Sequence, residues 1–319
     1  MNLASDDQTG MTTEDVMKSC RLCGRGCGTD RTKRAGRRGG KSEILAARAA
    51  LHMWEEPCIS GEEGSGTVFF AGCPLKCVFC QNREIALTGK EPYPEGIRAL
   101  TEKELADTFL HLQGMHANNI NLVTPTHFVP QIREALRIAA DNGLRIPVVY
   151  NTGSYERPET IRMMEGFADI FLPDLKFMDP EISARYADAP DYFETAAAAI
   201  DEMVRITGGR MDFDERGMLQ RGVIIRHMIL PGHTADSKRI LKYIHDRYGS
   251  AVWVSIMNQY TPMPGIGKNY PELARRVTKR EYARVTDYAL SAGITDAFIQ
   301  EGGTASDSFI PAFDGEGLL

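Results

Sequence analysis

The sequence predicts an α/β fold in which short strands alternate with helices. After Gly66, apolar runs of strand length recur, and the segments between them repeat apolar residues with helical spacing. The length of 319 residues and the apolar fraction of 43% are sufficient for a large buried core. Strands joined by helices pair in parallel, so six or seven units either form a full or partial barrel or lie in an open doubly wound sheet. In both, ligands bind at the carboxyl ends of the strands.

The predicted elements follow one another along the chain. The predicted strands span residues 67–71, 119–124, 147–151, 169–172, 223–229, 251–256 and 296–300. The predicted helices span residues 104–112, 130–140, 158–166, 193–206, 235–247 and 279–291. Thr101 and Glu104 form a capping box before the first helix, and Asp191 precedes the fourth. Residues 208–222 are too polar for the core and predict a hairpin insert.

Residues 1–65 are predicted to form an N-terminal extension that precedes a domain of residues 66–319. The first part of the extension, residues 1–19, is expected to be a loose leader. Its last part, residues 42–54, is rich in alanine and predicts a helix with Ser42 as N-cap.

A basic run lies inside this extension. Between Arg21 and Lys41 there are eight basic residues and one acidic residue, although the net charge of the chain is −6. We interpret this run as a solvated face or as a contact for an acidic partner protein. The alternative is contact with RNA phosphates, and the absence of aromatic residues for base stacking between Arg21 and His52 weakens it.

The composition excludes several classes of protein. No apolar run approaches the ~18 residues of a membrane span, and the N-terminus lacks the apolar region of a secretory signal, so a cytoplasmic location is expected. The seven cysteines are an odd number and all lie between Cys20 and Cys80. Because disulfide-rich proteins are short and secreted, this pattern predicts reduced thiols for metal binding or catalysis.

Three cysteines directly after the first predicted strand give the strongest chemical signal. Cys73, Cys77 and Cys80 lie on a loop that leaves the apolar segment TVFFAG. An iron–sulfur cluster that only carries electrons has four protein ligands, whereas three thiolates leave one iron free for a substrate or cofactor. The alternative is a structural zinc site, but the segment QNREIALTG after Cys80 supplies no fourth Cys or His ligand.

The same residues resemble a known family. The loop GCPLKCVFCQN resembles the cluster loop of the radical S-adenosylmethionine (SAM) enzymes. The longer stretch EEPCISGEEGSGTVFFAGCPLKCVFCQNREIA is similar to relatives of the pyruvate formate-lyase activating enzyme, and most similar to the branch labelled PflX. The similarity continues through NLVTPTHFVPQI, IFLPDLKFMDPEISARYADAPDYF, RGVIIRHMILPGH and NQYTPM, and therefore covers most of the chain from Cys20 onward.

The resemblance implies a partial (β/α)6 barrel in which Cys73, Cys77 and Cys80 hold a [4Fe-4S] cluster and its free iron binds SAM. An electron from a donor such as flavodoxin or ferredoxin would split SAM and give a 5′-deoxyadenosyl radical that abstracts hydrogen. The substrate implied is a glycine of a partner glycyl-radical protein, or a small molecule. The cofactors carry the difficult chemistry, and the protein positions them.

The resemblance also implies residues that bind SAM. Phe79 falls where the family has an aromatic residue beside the adenine. Arg226 matches an arginine that pairs with the SAM carboxylate, a task that suits its forked cation. Asp174 and Lys176 match an Asp-x-Lys pair at a strand end near SAM.

The chain departs from the family at two places. The activating enzymes have a Gly-Gly-Glu motif after the second strand that contacts the SAM amino group, and here the sequence is Thr124-Pro-Thr126-His127. We expect the hydroxyls of Thr124 and Thr126 to accept from that amino group, and His127 either to serve a substrate or to be solvated. Asn151 and Thr152, which the resemblance also places among the SAM-binding residues, stand where the activating enzyme has Asp-Thr, so a charge is lost.

Four cysteines of the extension form a candidate second site: Cys20, Cys23, Cys27 and Cys58. They are expected to bind an auxiliary iron–sulfur cluster or zinc, or else to remain reduced free thiols. Several relatives have a further cysteine near Gly40 that is absent here. Cys58 is therefore the remaining candidate for a fourth ligand.

The sequence thus predicts a cytoplasmic radical SAM enzyme of the activating type, with no membrane partner and no residue assigned to catalysis beyond the cofactor site. Two other classes remain as alternatives: a radical SAM enzyme that modifies RNA, and a non-enzymatic iron–sulfur carrier. Nucleic acid is the less favoured partner because the chain is acidic overall.

Overall fold

The computed structural model describes residues 12–86, 93–300 and 311–319, and the sheet at its centre determines where the functional residues lie. The strands in the described residues are β1 (Ile44–His52), β2 (Ser65–Phe70), β3 (Arg98–Leu100), β4 (Ile120–Val123), β5 (Val148–Thr152), β6 (Ile170–Pro173), β7 (Asp212–Phe213), β8 (Leu219–Met228), β9 (Trp253–Met257) and β10 (Ala297–Ile299). The helices are α1 (Thr13–Lys18), α2 (Pro57–Ser60), α3 (Arg83–Ala86), α4 (Glu102–Gly114), α5 (Val129–Asp141), α6 (Pro158–Arg162), α7 (Pro180–Ala187), α8 (Tyr192–Thr207), α9 (Thr234–Tyr248) and α10 (Lys279–Ser291).

The strand order confirms the predicted α/β fold with a parallel sheet. The sheet runs β10-β9-β8-β6-β5-β4-β2-β1-β3, and every pair from β2 to β10 on this path is parallel. Spatial order follows chain order without the reversal that defines a doubly wound sheet. The path ends at β3 and β10 within the described residues, and closure into a partial barrel stays a prediction.

The prediction of a helix over residues 42–54, with Ser42 as its N-cap, is wrong, because this segment contains β1. The strand pairs antiparallel with β2 on one side and with β3 on the other, and Leu45 and Ala47 are fully buried. Alanine favours helices, but here the hydrogen bonds and burial available beside β2 outweigh that local preference. The division into residues 1–65 and 66–319 stays a prediction, and β1 of the first part pairs directly with β2 of the second.

The remaining elements agree with the sequence except at some ends. The capping box of Thr101 and Glu104 begins α4 as predicted. Residues 208–222 form the predicted hairpin, since β7 pairs antiparallel with the start of β8. The helix predicted over residues 158–166 ends at Arg162 and continues as turns. None of the helices in the described part of the chain has the length and apolar character that a membrane span requires.

A short segment that follows β1 closes the amino end of the parallel sheet. Residues 55–60, called the plug below, contain α2, and Ile59 is fully buried there against interior residues of the strands. The side chains of Asn118 and Asn119 donate hydrogen bonds to the backbone oxygens of Ser60 and Ile59, at 2.7 and 2.8 Å. The plug is therefore held by hydrogen bonds from the residues that precede β4 as well as by apolar packing.

Residues 12–19 of the predicted loose leader have defined structure, so that prediction is wrong for this part. Thr12 and Asp15 form a capping box that begins α1, and Met17 is buried. The leader's residues 1–11 lie outside the described residues. Arg31 is also buried, and its guanidinium donates to the backbone oxygens of Gly40, Lys41 and His127, at 3.0, 2.7 and 2.5 Å.

Two further arginines of the basic run contact the rest of the protein. Arg25 donates from Nε to the backbone oxygen of Pro74, at 3.0 Å, and lies over the ring of Tyr155. Arg38 forms an ion pair with Asp188, at 2.5 Å, and Arg25 lies 3.8 Å from the same carboxylate. The interpretation of the run as a solvated face is wrong for Arg25, Arg31 and Arg38, because they attach the N-terminal segment to the rest of the protein.

We expect Arg31→Lys to lower the free energy of unfolding by about 2–4 kcal/mol, because an ammonium group cannot replace a guanidinium that donates to three buried carbonyl groups. Arg34→Lys, a change in an exposed residue of the same run, should alter it by less than about 0.5 kcal/mol. Urea denaturation followed by circular dichroism measures both. Equal stability of the two variants would show that Arg31 is not a structural anchor.

Candidate cofactor site at the carboxyl ends of the strands

The loop with the three cysteines leaves the carboxyl end of β2 and is fixed by backbone hydrogen bonds. Gly72 N–H donates to the oxygen of Ile85, Lys76 N–H to Ala187, and Val78 N–H to Tyr186, at 2.8–3.0 Å. Gly72 has a φ of +88°, and a side chain here would lie 3.2 Å from the ring of His127. A glycine is therefore required where the strand turns into the loop.

Burial and mutual repulsion make the loop thiols difficult to ionise without a cation. Burial raises the pKa of Cys73, and the nearby Cys77 and Cys80 raise it further. Burial likewise raises the pKa of Cys77 to about 12, although the Lys176 ammonium opposes this effect. Three neighbouring, partly buried thiols are a donor set that suits iron, whose positive charge compensates their ionisation. The residues of the loop therefore fit an iron–sulfur cluster.

The arrangement does not fit a single metal ion. No three His, Cys, Asp or Glu side chains in residues 12–86, 93–300 and 311–319 form a group that holds one ion. In a cubic cluster each thiolate binds a different iron, so the three sulfur atoms do not need to converge on one point. This finding weighs against the zinc alternative for Cys73, Cys77 and Cys80.

Arg226 lies on β8, and its side chain forms hydrogen bonds with residues from three other parts of the chain. Its Nε donates to Asp174 Oδ1 at 2.9 Å, its Nη1 to Glu55 Oε2 at 3.1 Å, and its Nη2 to Asn151 Oδ1 at 2.5 Å. The side chains of Arg226, Asp174 and Glu55 are only 11–14% exposed. The guanidinium is therefore held in one orientation by partners on the plug, on β5 and directly after β6.

The plug contributes the carboxylate of Glu55 to the hydrogen bonds around Arg226, from the amino-end side of the strands. Glu55 Oε1 accepts from the side chains of both Asn121 and Asn151, each at 3.1 Å. Glu56 is buried beside it, and burial raises its pKa although Arg226 opposes the shift. The plug thus places two acidic side chains directly beneath the predicted SAM-binding residues.

Asp174 and Lys176 connect this network to the cysteine loop. Lys176 Nζ forms an ion pair with Asp174 Oδ2, and both residues are largely buried. Burial acts to raise the pKa of Asp174, but the charges of Arg226 and Lys176 hold it below its ordinary value. Lys176 in turn lies close enough to Cys77 to affect the pKa of that thiol. A continuous line of charged groups therefore runs from the plug to the predicted cluster ligands.

Phe79, the predicted neighbour of the adenine, lies in an aromatic cluster. Its ring centroid is 6.2 Å from that of Phe177 and 6.1 Å from that of Tyr260, both in edge-on geometry. Phe79 is 6% exposed. The loop therefore places an apolar wall beside the cysteines, and the assignment to adenine stays a prediction.

Two of the predicted SAM-binding hydroxyls face a different group. Thr126 Oγ1 donates to Glu156 Oε1 at 2.5 Å, and Thr152 Oγ1 donates to the same oxygen. Because side chains alternate along a strand, Thr152 points away from the face that carries Asn151. Burial raises the pKa of Glu156, which is fully buried. Both hydroxyls are thus engaged by a buried carboxylate between the sheet and the N-terminal segment.

His127 is buried, which contradicts the solvated alternative. Its ring lies against Gly39 and Gly72, and burial together with the Arg31 charge lowers its pKa to about 3. The imidazole is therefore neutral and packs behind the cysteine loop. Thr124 has a φ of +58°, and its N–H donates to the backbone oxygen of Asn151 at 2.9 Å, which holds this turn in place.

The proposal of Cys58 as a partner for the N-terminal cysteines is wrong. Cys58 lies in the plug, at the amino end of the strands, and packs against Leu219 and Ile224. The backbone of Cys23 instead forms an isolated antiparallel β-bridge with Glu156, which follows the carboxyl end of β5. The strands separate Cys58 from Cys23, so both cannot bind one metal. Cys20, Cys23 and Cys27 lie near one another, and each of the other two affects the pKa of Cys23.

Four acidic or amide side chains in and near the site were not predicted from the sequence: Glu55, Glu56, Asn121 and Glu156. Asn121 carried a signal, since it is a polar residue within the apolar strand INLV. Glu55 and Glu56 gave a weaker signal in the sequence, because acidic residues are common on exposed loops.

Comparison with known proteins identifies the family to which this chain belongs. A model of the radical SAM superfamily matches residues 67–244, which is more than half of the chain. The protein therefore belongs to the radical SAM superfamily. Its members are enzymes that use a [4Fe-4S] cluster and SAM.

Individual relatives are more distant. An uncharacterized protein of Methanocaldococcus jannaschii, MJ0674, is 29% identical over 283 residues, which cover 86% of this chain and 75% of that protein. Streptococcus suis SuiB bound to its precursor peptide SuiA has a TM-score of 0.47 and 13% identity, covering 73% of this chain and 47% of SuiB. HydG, a maturase of the [FeFe]-hydrogenase, has a TM-score of 0.46 and 13% identity, covering 70% of this chain and 48% of HydG. The chain spans about half the length of these solved structures.

The residue after Arg226 gives the protein a predictable sensitivity to acid. His227 Nδ1–H donates to Leu175 O at 2.8 Å, its Nε2 accepts from the Ser237 hydroxyl at 2.9 Å, and burial lowers its pKa from 6.5 to about 4. Between these values the unfolded chain binds a proton that the folded protein excludes. We therefore expect the stability contributed by this group to fall by about 1.4 kcal/mol per unit as the pH drops from about 6.5 to about 4.

The measurement compares His227→Gln with the native protein by urea denaturation at pH 7, 6 and 5. Because glutamine does not titrate, the free energy of unfolding of the variant should depend less steeply on pH. Parallel pH profiles would mean that His227 does not exclude a proton in the folded state.

Proposed function

We propose that this protein reductively cleaves SAM at a [4Fe-4S] cluster held by Cys73, Cys77 and Cys80, and then abstracts hydrogen from a substrate. When bound, the cluster supplies the electron that splits the sulfonium carbon–sulfur bond of SAM. The observation that carries the proposal is the line of buried charges from Glu55 through Arg226, Asp174 and Lys176 to the cysteine loop.

Each group in this line has a role that follows from its contacts. Lys176 lowers the cost of ionising Cys77. Asp174 positions Lys176 and Arg226 with its two oxygens. Arg226 is the forked cation offered to the SAM carboxylate, and its orientation is set before SAM arrives by Glu55 and Asn151. Phe79 and its aromatic neighbours exclude water beside the cysteines.

The substrate we propose is a glycine in a partner glycyl-radical protein, with a small molecule as the other candidate. This rests on the resemblance to the activating enzymes and to the branch labelled PflX, on the quoted blocks from Cys20 onward. Flavodoxin or ferredoxin is the proposed electron donor, and the cytoplasm the proposed location. The partial (β/α)6 barrel and the division into residues 1–65 and 66–319 belong to the same proposal.

The contacts of the basic run favour this function over RNA modification. Arg25, Arg31 and Arg38 are engaged by backbone oxygens and by Asp188, so fewer cations are free to bind phosphates. An auxiliary iron–sulfur cluster at Cys20, Cys23 and Cys27 stays part of the proposal, with its remaining ligand from outside this set. Zinc is disfavoured there as well, because the described residues contain no group of three such side chains that holds one ion. The carrier alternative differs in predicting a cluster without cleavage of SAM.

The first test is anaerobic reconstitution with iron and sulfide, followed by incubation with SAM and dithionite and measurement of 5′-deoxyadenosine. Cys77→Ala should abolish the product because the cluster loses a ligand. Cys23→Ala should leave the absorbance of the SAM-binding cluster largely in place. Cys58→Ala is the matched control, since this cysteine lies at the opposite end of the strands. A cluster without 5′-deoxyadenosine in the native protein would favour the carrier, and equal losses in the Cys77 and Cys23 variants would contradict their separate roles.

The second test concerns the forked cation. Arg226→Lys keeps the positive charge but cannot donate to three partners while it binds a carboxylate, so we expect SAM to bind about tenfold more weakly. Arg221→Lys is the control on the same strand, where Arg221 donates to the backbone oxygens of Thr207 and Ile206. Anaerobic equilibrium dialysis with labelled SAM gives both affinities. An unchanged affinity in Arg226→Lys would remove Arg226 from the SAM site.

A further inference from the structure

A cavity of about 840 Å³ opens at the amino ends of the strands, whereas the cysteine loop lies at their carboxyl ends. The plug forms one wall through Pro57 and Cys58, and the β7–β8 hairpin forms another through Phe213 and Met218. This volume lies within the range that small organic ligands occupy in proteins. The proposed radical chemistry does not use any residue of this cavity.

Three aromatic rings line the cavity side by side. The centroid of Trp253 lies 5.2 Å from that of Phe213 and 5.2 Å from that of Phe298, with interplanar angles of 45° and 56°. Phe213 is 38% exposed although it is a large apolar residue, and Trp253 and Phe298 are partly buried. The three rings therefore line a space that a ligand can enter.

The charges around the cavity are predominantly negative. Arg216 lies 3.2 Å from Asp214 and 3.5 Å from Glu63, so two carboxylates already surround its guanidinium. Glu62 also lines the cavity, is exposed, and has no ion pair among the described residues. Burial raises the pKa of Cys58 to about 12, so its thiol is neutral and adds no charge. The remaining charge at the opening is an unpaired carboxylate.

We propose that this cavity binds a small organic cation with an apolar body, of the alkylammonium or quaternary ammonium class. Aromatic faces attract such cations through their quadrupoles, and a nearby carboxylate adds to that attraction. The apolar lining from Met218, Pro57 and the rings accommodates the methyl or methylene groups. Anions are disfavoured here because Glu62, Glu63 and Asp214 repel them and Arg216 is already paired.

The cavity shares the plug with the cofactor site but not its side chains. Pro57 and Cys58 contact the cavity, whereas Glu55 reaches Arg226 on the other side of the plug. Ligand binding can therefore be measured without cluster, SAM or turnover. Failure of this proposal leaves the assignment of the radical SAM site unaffected, and the reverse also holds.

The test uses three probes of nearly the same shape and different charge: choline, 3,3-dimethylbutan-1-ol and 3,3-dimethylbutanoate. The chain has two tryptophans, Trp54 and Trp253, so a Trp54→Phe background leaves Trp253 as the sole reporter of tryptophan fluorescence. We expect choline to change its emission in a saturable manner and to bind at least about fivefold more tightly than the neutral alcohol. The anion should bind most weakly.

Two variants separate the contributions of charge and ring. Glu62→Gln, at an exposed position, should reduce the advantage of choline over the alcohol and leave alcohol binding unchanged. Trp253→Leu should remove binding of both probes, measured by isothermal titration calorimetry, with circular dichroism to establish that the variant folds. Glu159→Gln, which changes an exposed glutamate remote from the cavity on α6, is the matched control and should change nothing.

Three results would overturn the proposal. The first is saturable binding of the anion as tight as that of choline. The second is choline affinity that stays the same in Glu62→Gln and in folded Trp253→Leu. The third is the absence of any saturable response to choline in the Trp54→Phe protein.

Discussion

The buried guanidinium of Arg226 is the constraint on which the arrangement of the site depends. A cation in the interior of a sheet is tolerated only when acceptors surround it, and here Glu55, Asp174 and Asn151 provide them. Those acceptors come from the plug, from β5 and from the residue after β6. The packing of three separate parts of the chain is thereby tied to one side chain, and the same contacts give that side chain a single orientation.

The features that the sequence revealed are those that depend on near neighbours along the chain. The spacing of Cys73, Cys77 and Cys80 is local, as is the capping box at Thr101, and both were found without knowledge of the fold. The alternation of apolar runs and helical periods was sufficient for the parallel sheet because each strand forms one short, buried segment. The resemblance then selected Asn151, Asp174 and Arg226, which the structure brings together.

The features that the sequence concealed depend on contacts between distant segments. Residues 44–52 contain four alanines in a run that favours a helix locally, and only pairing with both β2 and β3 explains the strand. Glu55 resembles any acidic loop residue until the path of the plug into the sheet is known. The basic run was misinterpreted for the same reason, since charge alone does not show that Arg31 meets the carbonyl groups of residues 40, 41 and 127.

The N-terminal segment has a consequence for the order in which the protein is assembled. Gly24 donates a backbone hydrogen bond to Tyr155, and Arg25 and Arg38 meet Asp188, so this segment docks on parts of the chain that the ribosome produces much later. Contacts between such distant segments form slowly. The cysteine loop, which Arg25 contacts at Pro74, therefore leaves the ribosome before the residues on which the N-terminal segment docks. The N-terminal segment, although it is synthesised first, therefore reaches its final contacts only after Tyr155 and Asp188 have been synthesised.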